Sequence, residues 1–158
     1  MKVNEYEVML KENEIPYLLK TRCCECLDCV SEKEEAVSLI ENAYHASNLA
    51  EEFLFLVALN ARLKPLALFR VSQGTNRNVI AGTREIFLRL LASGADSGVI
   101  LHNHPSGDPT PSKEDIEVTT QLIDSGKLLR IPIFDHIVVA RQGYRSIRDI
   151  TKNTLEWV

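Results

Sequence analysis

The sequence predicts an α/β fold in which helices flank a mixed β-sheet. Segments with helical hydrophobic periodicity alternate with short, continuously apolar segments that are typical of buried strands. The 158-residue length fits a single domain, and a hydrophobic content of 45% is too high for a disordered chain. The predicted order is helix, two strands, helix, strand, helix and a closing hairpin, which is typical of a sheet covered by helices.

The chain is predicted to divide into a central domain and two short flanking parts. Residues 1–30 form an N-terminal extension of mixed polarity, in which we expect one strand near Tyr17–Leu19. Residues 31–150 form the domain, and residues 151–158 form a C-terminal tail.

The first helix of the domain is predicted from its start signal and its apolar face. Ser31 and Glu34 have the spacing of a capping box, and the helix is expected to run to about Ser47. Its apolar face consists of Ala36, Ile40, Ala43 and Tyr44.

Two neighbouring strands are predicted next. Phe53–Leu59 is apolar at every position and is expected to be a buried strand. A turn at Asn60–Arg62 leads to a partner strand, Pro65–Ser72, and Gly74–Asn76 is expected to end it.

A second helix and a third strand follow. Thr83 is predicted to cap the helix, and Ser93–Gly94 to end it. The apolar face of this helix consists of Ile86, Phe87, Leu90 and Leu91. Ser97–His102 is predicted to be another buried strand.

The last third of the chain begins with a loop rich in proline and glycine, Pro105–Pro111. Ser112 is predicted to cap a third helix that ends near Gly126. Ile131–Ala140 and Gly143–Ile147 are expected to form a closing hairpin.

Charge and hydropathy exclude several classes of protein. Residues 1–52 carry five basic and twelve acidic side chains, and residues 53–158 carry thirteen basic and ten acidic, giving net charges of −7 and +3. Neither part is a basic platform for strong, non-specific DNA binding. The longest apolar run, Phe53–Leu59, is far shorter than the ~20 residues of a membrane span. No apolar signal region begins the chain, so we expect a cytoplasmic protein without a membrane partner.

The four cysteines are close together in sequence, at Cys23, Cys24, Cys26 and Cys29. Their spacing is that of a zinc or iron–sulfur loop, but a zinc site of this kind usually has a second, separated ligand pair, which is missing here. Closely spaced cysteines in a cytosolic chain are also ordinary reduced thiols. We favour the thiols and leave the metal role as the alternative.

A second group of metal-binding residue types follows the third apolar strand. His102 and His104 are two positions apart at the predicted strand end, so their rings point the same way. Asp115, in the first turn of the next helix, can fold back as a third ligand. Two nitrogens and one carboxylate leave the fourth tetrahedral position for water, which is the pattern of catalytic rather than structural zinc.

The pattern His-x-His, seven residues, Ser, two residues, Asp resembles the JAMM (MPN+) metalloprotease motif, and it fits His102, His104, Ser112 and Asp115 without a gap. The wider segments resemble the RadC-like JAB branch over roughly Ser31 to Ile150. They are HNHPSGDPTPS, Arg84–Phe87, Gly74–Thr75 and Asp135–His136. The resemblance implies a JAB/MPN fold with a cytidine deaminase-like arrangement, and a bound Zn²⁺.

The resemblance also implies two catalytic side chains. JAMM enzymes use an upstream glutamate as general base, and Glu52 fits that position best, with Glu51 as the fallback. The motif serine, which stabilises the oxyanion in the family, corresponds to Ser112. Each residue also has a simpler interpretation: Ser112 and Asp115 as a helix cap, Glu51 and Glu52 as solvated acids. His136 is either a core histidine or a neighbour of the site.

Three functions follow from the resemblance. We favour a zinc-dependent peptidase or isopeptidase that acts on a protein substrate of unknown identity. The alternative is a DNA repair or recombination accessory factor of RadC type, with weak DNA association through basic residues that cluster in sequence. They are Arg62, Lys64, Arg70, Arg77, Arg84 and Arg89. The N-terminal helix-hairpin-helix segment usual in RadC proteins is not recognisable in residues 1–30, which weakens this alternative. A catalytically silent, metal-bearing interaction module ranks last because the ligand set is complete.

Overall fold

The computed structural model describes residues 1–26, 28–73 and 82–157. Within them, seven strands form one mixed sheet with the order β2-β1-β4-β3-β5-β6-β7, and helices flank it, as predicted and as a JAB/MPN fold requires. The turn expected at Gly74–Asn76 and the basic residue Arg77 lie outside the described residues. In the described part of the chain, no helix is long and apolar enough to cross a membrane.

The N-terminal extension forms a β-hairpin, of which the sequence predicted one short piece. Strands β1 (Lys2–Leu10) and β2 (Pro16–Glu25) are antiparallel, and β1 joins the sheet through a short parallel pairing with β4. The strand predicted near Tyr17–Leu19 is part of β2. The hairpin was missed because most of its side chains are exposed, so it lacks the apolar pattern of a buried strand.

Helix α1 (Lys33–Tyr44) begins one residue later than predicted and ends three residues earlier. Its capping box joins Glu32 and Glu35, not Ser31 and Glu34. The predicted box is wrong because Ser31 donates hydrogen bonds from its own N–H and hydroxyl to the Glu35 carboxylate. The α-helix ends where His45 adopts a left-handed conformation, with φ of 52°, and a short 3₁₀ turn follows at Ala46–Asn48.

The central strands agree with the prediction. β3 (Phe53–Leu59) pairs antiparallel with both β4 (Pro65–Gln73) and β5 (Ser97–Asn103). Every residue of β3 and β5 is buried. Both faces of these strands are covered, which explains their continuously apolar sequences.

The other predicted elements differ from the structure only at their ends. Helix α2 (Thr83–Ala92) is preceded by Gly82 as its N-cap residue, not by Thr83. Helix α3 (Lys113–Leu129) is capped by Ser112 as predicted, but it continues through Gly126 to Leu129. Strand β6 (Ile133–Ala140) is parallel to β5 and antiparallel to β7 (Gly143–Ser146). A short helix, α4 (Ile147–Thr151), follows and was not predicted.

The sheet divides the hydrophobic core into two layers. One lies between the sheet and α1 and includes Leu39, Ile40, Phe55, Leu101 and Ile137. The other lies between the sheet and helices α2 and α3 and includes Leu56, Phe69, Ile86, Ile100 and Leu122. Because side chains alternate along a strand, the even-numbered residues of β3 and β5 face α2 and α3.

Candidate metal centre

The strand register brings three predicted site residues to one end and one face of the sheet. Leu54 of β3 lies opposite His102 of β5, and both have even numbers, so both face helices α2 and α3. Glu52 precedes Leu54 by two positions and His104 follows His102 by two, so on antiparallel strands both lie toward the same end of the sheet. The donor atoms of Glu52, His102 and His104 all lie within 4.8 Å of one another.

Helix α3 adds Asp115 to this group. The Nε2 atoms of His102 and His104 are 3.0 Å apart. Asp115 Oδ1 lies 3.3 Å from Nε2 of His102, and Asp115 Oδ2 lies 3.5 Å from Nε2 of His104. Ligand atoms bound ~2.0–2.1 Å from one tetrahedral zinc ion are about 3.3 Å apart. The three side chains therefore have the spacing of a zinc ligand set.

The carboxylate of Asp115, a predicted metal ligand, also belongs to the helix cap of α3. The Ser112 N–H donates to Asp115 Oδ2 at 2.7 Å, and the Asp115 N–H donates to Ser112 Oγ at 3.1 Å. This capping box orients the Asp115 side chain toward the two imidazoles. Burial alone would raise the pKa of Asp115, but hydrogen bonds from His102 and His104 outweigh it and hold the pKa well below its usual range. Asp115 is thus an anion at neutral pH.

The loop between β5 and α3 fixes the ring of His104. Its Nδ1 lies 2.9 Å from the backbone oxygen of Asp108. A carbonyl oxygen only accepts, so Nδ1 carries the proton and Nε2 of the neutral ring presents a lone pair to the site. When the ring is protonated, Nε2 donates a hydrogen bond to the Asp115 carboxylate, and this raises the pKa of His104 above its ordinary value. A proton and a metal ion compete for that nitrogen.

Asn103 lies between the two histidines in sequence and faces the opposite side of the sheet. It is fully buried, its Oδ1 accepts from the Phe53 N–H at 2.8 Å, and its side-chain amide donates to the Glu51 oxygen at 2.9 Å. These two bonds hold the backbone on both sides of Glu52. The residue between the imidazoles therefore fixes the chain that carries the predicted general base.

A chain of hydrogen bonds continues behind His102. Its Nδ1 lies 2.8 Å from Nε2 of His136, whose Nδ1 lies 2.7 Å from Thr119 Oγ1. Thr119 Oγ1 in turn lies 2.6 Å from the backbone oxygen of Asp115. Burial holds the pKa of His136 well below its ordinary value, so its ring is neutral. Both interpretations of His136 are therefore correct, because it is a core residue and also contacts a predicted ligand.

This geometry lies in a segment that matches a known protein family. The profile of the RadC-like JAB domain matches residues 30–153, most of the chain. The chain belongs to the RadC-like JAB domain family. The match covers the whole segment in which the sequence resembled RadC proteins, and it includes every residue of the candidate metal centre.

Three bacterial proteins are similar in sequence to this chain. The chain is 38% identical over 103 residues to a UPF0758 protein of Symbiobacterium thermophilum, covering 65% of the chain and 44% of that protein. It is 32% identical over 124 residues to one of Thermotoga maritima, covering 78% and 56%. It is 41% identical over 101 residues to one of Bacillus licheniformis, covering 64% and 45%. The chain thus spans about half the length of the curated relatives it matches.

The remaining sequence clusters do not join this RadC-like site. All four cysteines are free thiols. Within the described ranges, the group of donors close enough to hold a metal ion is formed by Glu52, His102 and His104, and no cysteine joins it.

The described basic residues that cluster in sequence lie on different elements of the fold. Arg62 and Lys64 lie in the turn between β3 and β4, at the opposite end of β3 from Glu52. The Arg89 guanidinium donates to the backbone oxygen of Glu85 within α2. Arg70 lies over the Phe53 ring on the α1 side of the sheet, whereas Arg89 is on α2 on the other side, so these two residues do not share one face.

The sequence predicted the candidate ligands of this site but not the residues that contact and support them. Asn103, Asp108 and Thr119 were not selected, although all three touch a predicted site residue or its backbone. Asn103 had one signal, since a buried strand end is an unusual place for an amide. Thr119 had none, because hydroxyl residues are common in helices.

Proposed function

We propose that this RadC-like domain is a zinc-dependent hydrolase that cleaves peptide or isopeptide bonds. The convergence of His102, His104 and Asp115 at the separations of a tetrahedral ligand set carries the proposal. The carboxylate of Glu52 lies beside this set, its oxygen within 4.8 Å of the imidazole nitrogens. When bound, a zinc ion would polarise the scissile carbonyl and make water more acidic.

Asp115 and Glu52 are both candidates for the third ligand, and their positions indicate which of them binds the metal. The oxygens of Asp115 lie 3.3 and 3.5 Å from the imidazole nitrogens. Asp115 is also held in place by the cap of α3. We therefore assign the ligand to Asp115 and the general base to Glu52, which accepts the proton of the attacking water and later returns it to the leaving amine.

The hydroxyl group of Ser112 can donate a hydrogen bond to the oxyanion. Its Oγ accepts from the Asp115 N–H, and a hydroxyl that accepts still has its own proton to donate. Ser112 is exposed at the start of α3, next to the ligand Asp115. In the proposed reaction, it donates this hydrogen bond to the oxygen that becomes negative in the tetrahedral state.

The test is a pair of adjacent substitutions. Glu52→Gln is expected to keep its zinc and to lower kcat for peptide or isopeptide hydrolysis by about 10²–10⁴-fold, because a general base contributes that much. Glu51→Gln, one residue away on the exposed surface, is the matched control and is expected to retain activity. The assay uses the zinc-loaded chain and a panel of fluorogenic peptides and isopeptide-linked peptides.

Two results would contradict the proposal. A Glu52→Gln chain that hydrolyses as fast as the wild type would remove the assigned base. Loss of activity in Glu51→Gln alone would transfer the role to that residue. Because zinc content is measured in parallel, a loss of metal is distinguished from a loss of the proton acceptor.

A further inference from the structure

A cavity of about 350 Å³ lies on the α1 side of the sheet, whereas the metal centre faces α2 and α3. The first turn of α1, strands β5 and β6 and the start of α4 surround it. Pockets for small organic molecules have volumes of about 300–1,000 Å³ and mostly apolar walls. The apolar wall of this cavity consists of Val30, Ala36, Leu63, Val99, Phe134 and Ile137. The cavity therefore has the size and the lining of a small-ligand site.

The carboxylate of Asp135, on β6, also lines this cavity. Asp135 is only 9% exposed, and no ion pair among the described residues includes it. Its hydrogen bonds come from neutral donors. Oδ1 accepts from the backbone N–H groups of His136 at 2.7 Å and Arg148 at 3.2 Å. The Ser146 hydroxyl donates to the same carboxylate, with Oγ 2.9 Å from Oδ1 and 2.7 Å from Oδ2.

These contacts leave Oδ2 of Asp135 able to accept further hydrogen bonds. In the described part of the chain Oδ2 receives a hydrogen bond from Ser146 alone, and Ser146 shares its one proton between both carboxylate oxygens. A buried carboxylate without a counter-ion is unfavourable, and burial raises the pKa of Asp135. A cationic group in the cavity would supply the counter-ion and a charge-assisted hydrogen bond.

The cations that line the cavity are engaged elsewhere. The Lys33 ammonium pairs with the exposed carboxylate of Asp149. The Arg148 guanidinium donates to the backbone oxygen of Phe134 at 2.9 Å. Neither side chain forms an ion pair with Asp135, so the charge of this carboxylate is available to a ligand.

We propose that this cavity binds a small apolar ammonium ion, whose charged group pairs with Asp135 while its hydrocarbon part packs on the apolar wall. A neutral ligand of the same shape would leave the carboxylate without a counter-ion, and an anionic ligand would place a like charge beside it. The site is separate from the proposed hydrolysis, because the sheet lies between the cavity and the metal centre.

The test is a titration of the full chain with two ammonium ions, phenethylammonium and butylammonium. Phenethyl alcohol and butanol are the uncharged counterparts, and hydrocinnamate is an anionic one. Binding is followed through the methyl resonances of Ala36, Val99 and Ile137, which line the cavity. We expect saturable shifts with an ammonium ion and at least about 10-fold weaker binding of its alcohol, because a hydrogen bond to a charged group contributes that much.

Two matched substitutions test the assigned carboxylate. Asp135→Asn keeps an acceptor oxygen but removes the charge, and we expect the affinity for the ammonium ion to fall by at least about 10-fold. Asp149→Asn removes a carboxylate from the same cavity that is exposed and already paired with Lys33. We expect this control to bind within about 3-fold of the wild type, because exposed ion pairs contribute little.

A third variant keeps the test valid if Asp135→Asn does not fold. Ala36→Leu leaves Asp135 in place but puts a larger side chain into the apolar wall, and it is expected to abolish the saturable shifts. The amide spectrum of each variant shows whether it is folded.

Several results would overturn the proposal. One is the absence of shifts with either ammonium ion up to about 10 mM. Others are alcohols that bind as tightly as the ammonium ions, or binding that survives in Asp135→Asn or in Ala36→Leu. Equal losses in Asp135→Asn and Asp149→Asn would assign the effect to general charge and would also refute it. A chain that binds ammonium ions as expected but hydrolyses nothing would keep this inference and refute the peptidase.

Discussion

Replacing Asn103 with alanine is expected to separate the metal site from the general base. The Asn103 side chain bonds to the backbone on both sides of Glu52 and faces away from the imidazoles. The histidines are held independently, because His102 pairs with Val138 of β6 and the His104 N–H donates to the Val139 oxygen. Asn103→Ala should therefore keep its zinc while Glu52 loses its fixed position.

The magnitude follows from two hydrogen bonds of Asn103, one buried and one partly buried. Each contributes about 0.5–1.5 kcal/mol, and the backbone groups of Phe53 and Glu51 that lose their partner add a desolvation cost, so the free energy of unfolding should fall by about 2–4 kcal/mol. For a domain of this size that lowers Tm by roughly 4–16 °C. Displacing a reacting group by ~1 Å costs up to about 100-fold in rate, which bounds the expected fall in kcat.

Asn60→Ala is the matched control. Its Oδ1 also accepts two backbone hydrogen bonds, from Arg62 and Lys64, but at the opposite end of β3. Urea unfolding, zinc content and hydrolysis are measured on both variants. We expect both to lose stability and only Asn103→Ala to lose kcat. Equal kcat in the two variants, or loss of zinc in Asn103→Ala, would refute the assigned role of Asn103.

Further predictions concern the ligands, the cap and the packing. Asp115→Asn should lower zinc affinity at least ~100-fold in a chelator competition, more than a lost outer hydrogen-bond partner does. Ser112→Ala should lower the unfolding free energy by about 1 kcal/mol in urea, and kcat by ~10²–10³-fold. Gly126→Ala should destabilise by about 1–3 kcal/mol, because its Cβ would lie 2.7 Å from the Ile131 oxygen. DNA binding that results from the net charge of +3 on residues 53–158 should vanish near ~200 mM salt in a gel-shift titration.

The central fold was predictable because its strands are buried on both faces. A continuously apolar run such as Phe53–Leu59 is stable in the middle of a covered sheet. Strand β3 begins and ends at the same two residues as this predicted run. The β1–β2 hairpin could not be predicted in this way. It lies at the edge of the sheet, where exposed side chains alternate with few buried ones and leave a weak sequence pattern.

The candidate site was likewise predictable only in part. His102, His104, Ser112 and Asp115 lie in one continuous motif, so their spacing alone brought them together. Residues that meet them only through the fold left no such pattern. His136, for example, is 34 positions from His102 in sequence and reaches it through the parallel pairing of β5 and β6.

Helix ends were the least predictable feature for a physical reason. Several polar residues near a helix start can each act as the cap, and the choice depends on where neighbouring side chains point. Ser31 resembled the cap of α1, but Glu35 accepts its hydrogen bonds and Glu32 is the cap instead. Gly126 resembled a helix end, but α3 continues through it to Leu129, and the glycine instead makes room for the Ile131 backbone oxygen, which would lie 2.7 Å from a Cβ.

The zinc content of chain purified without chelator tests the central claim most directly. We expect about one zinc per chain in the wild type and in Glu52→Gln, and none in His104→Ala, because a site of this kind needs all of its ligands. Zinc that stays in His104→Ala would contradict the assigned ligand set and would direct attention to the cysteines of the N-terminal hairpin. Absence of zinc from the wild type would contradict the metal centre itself.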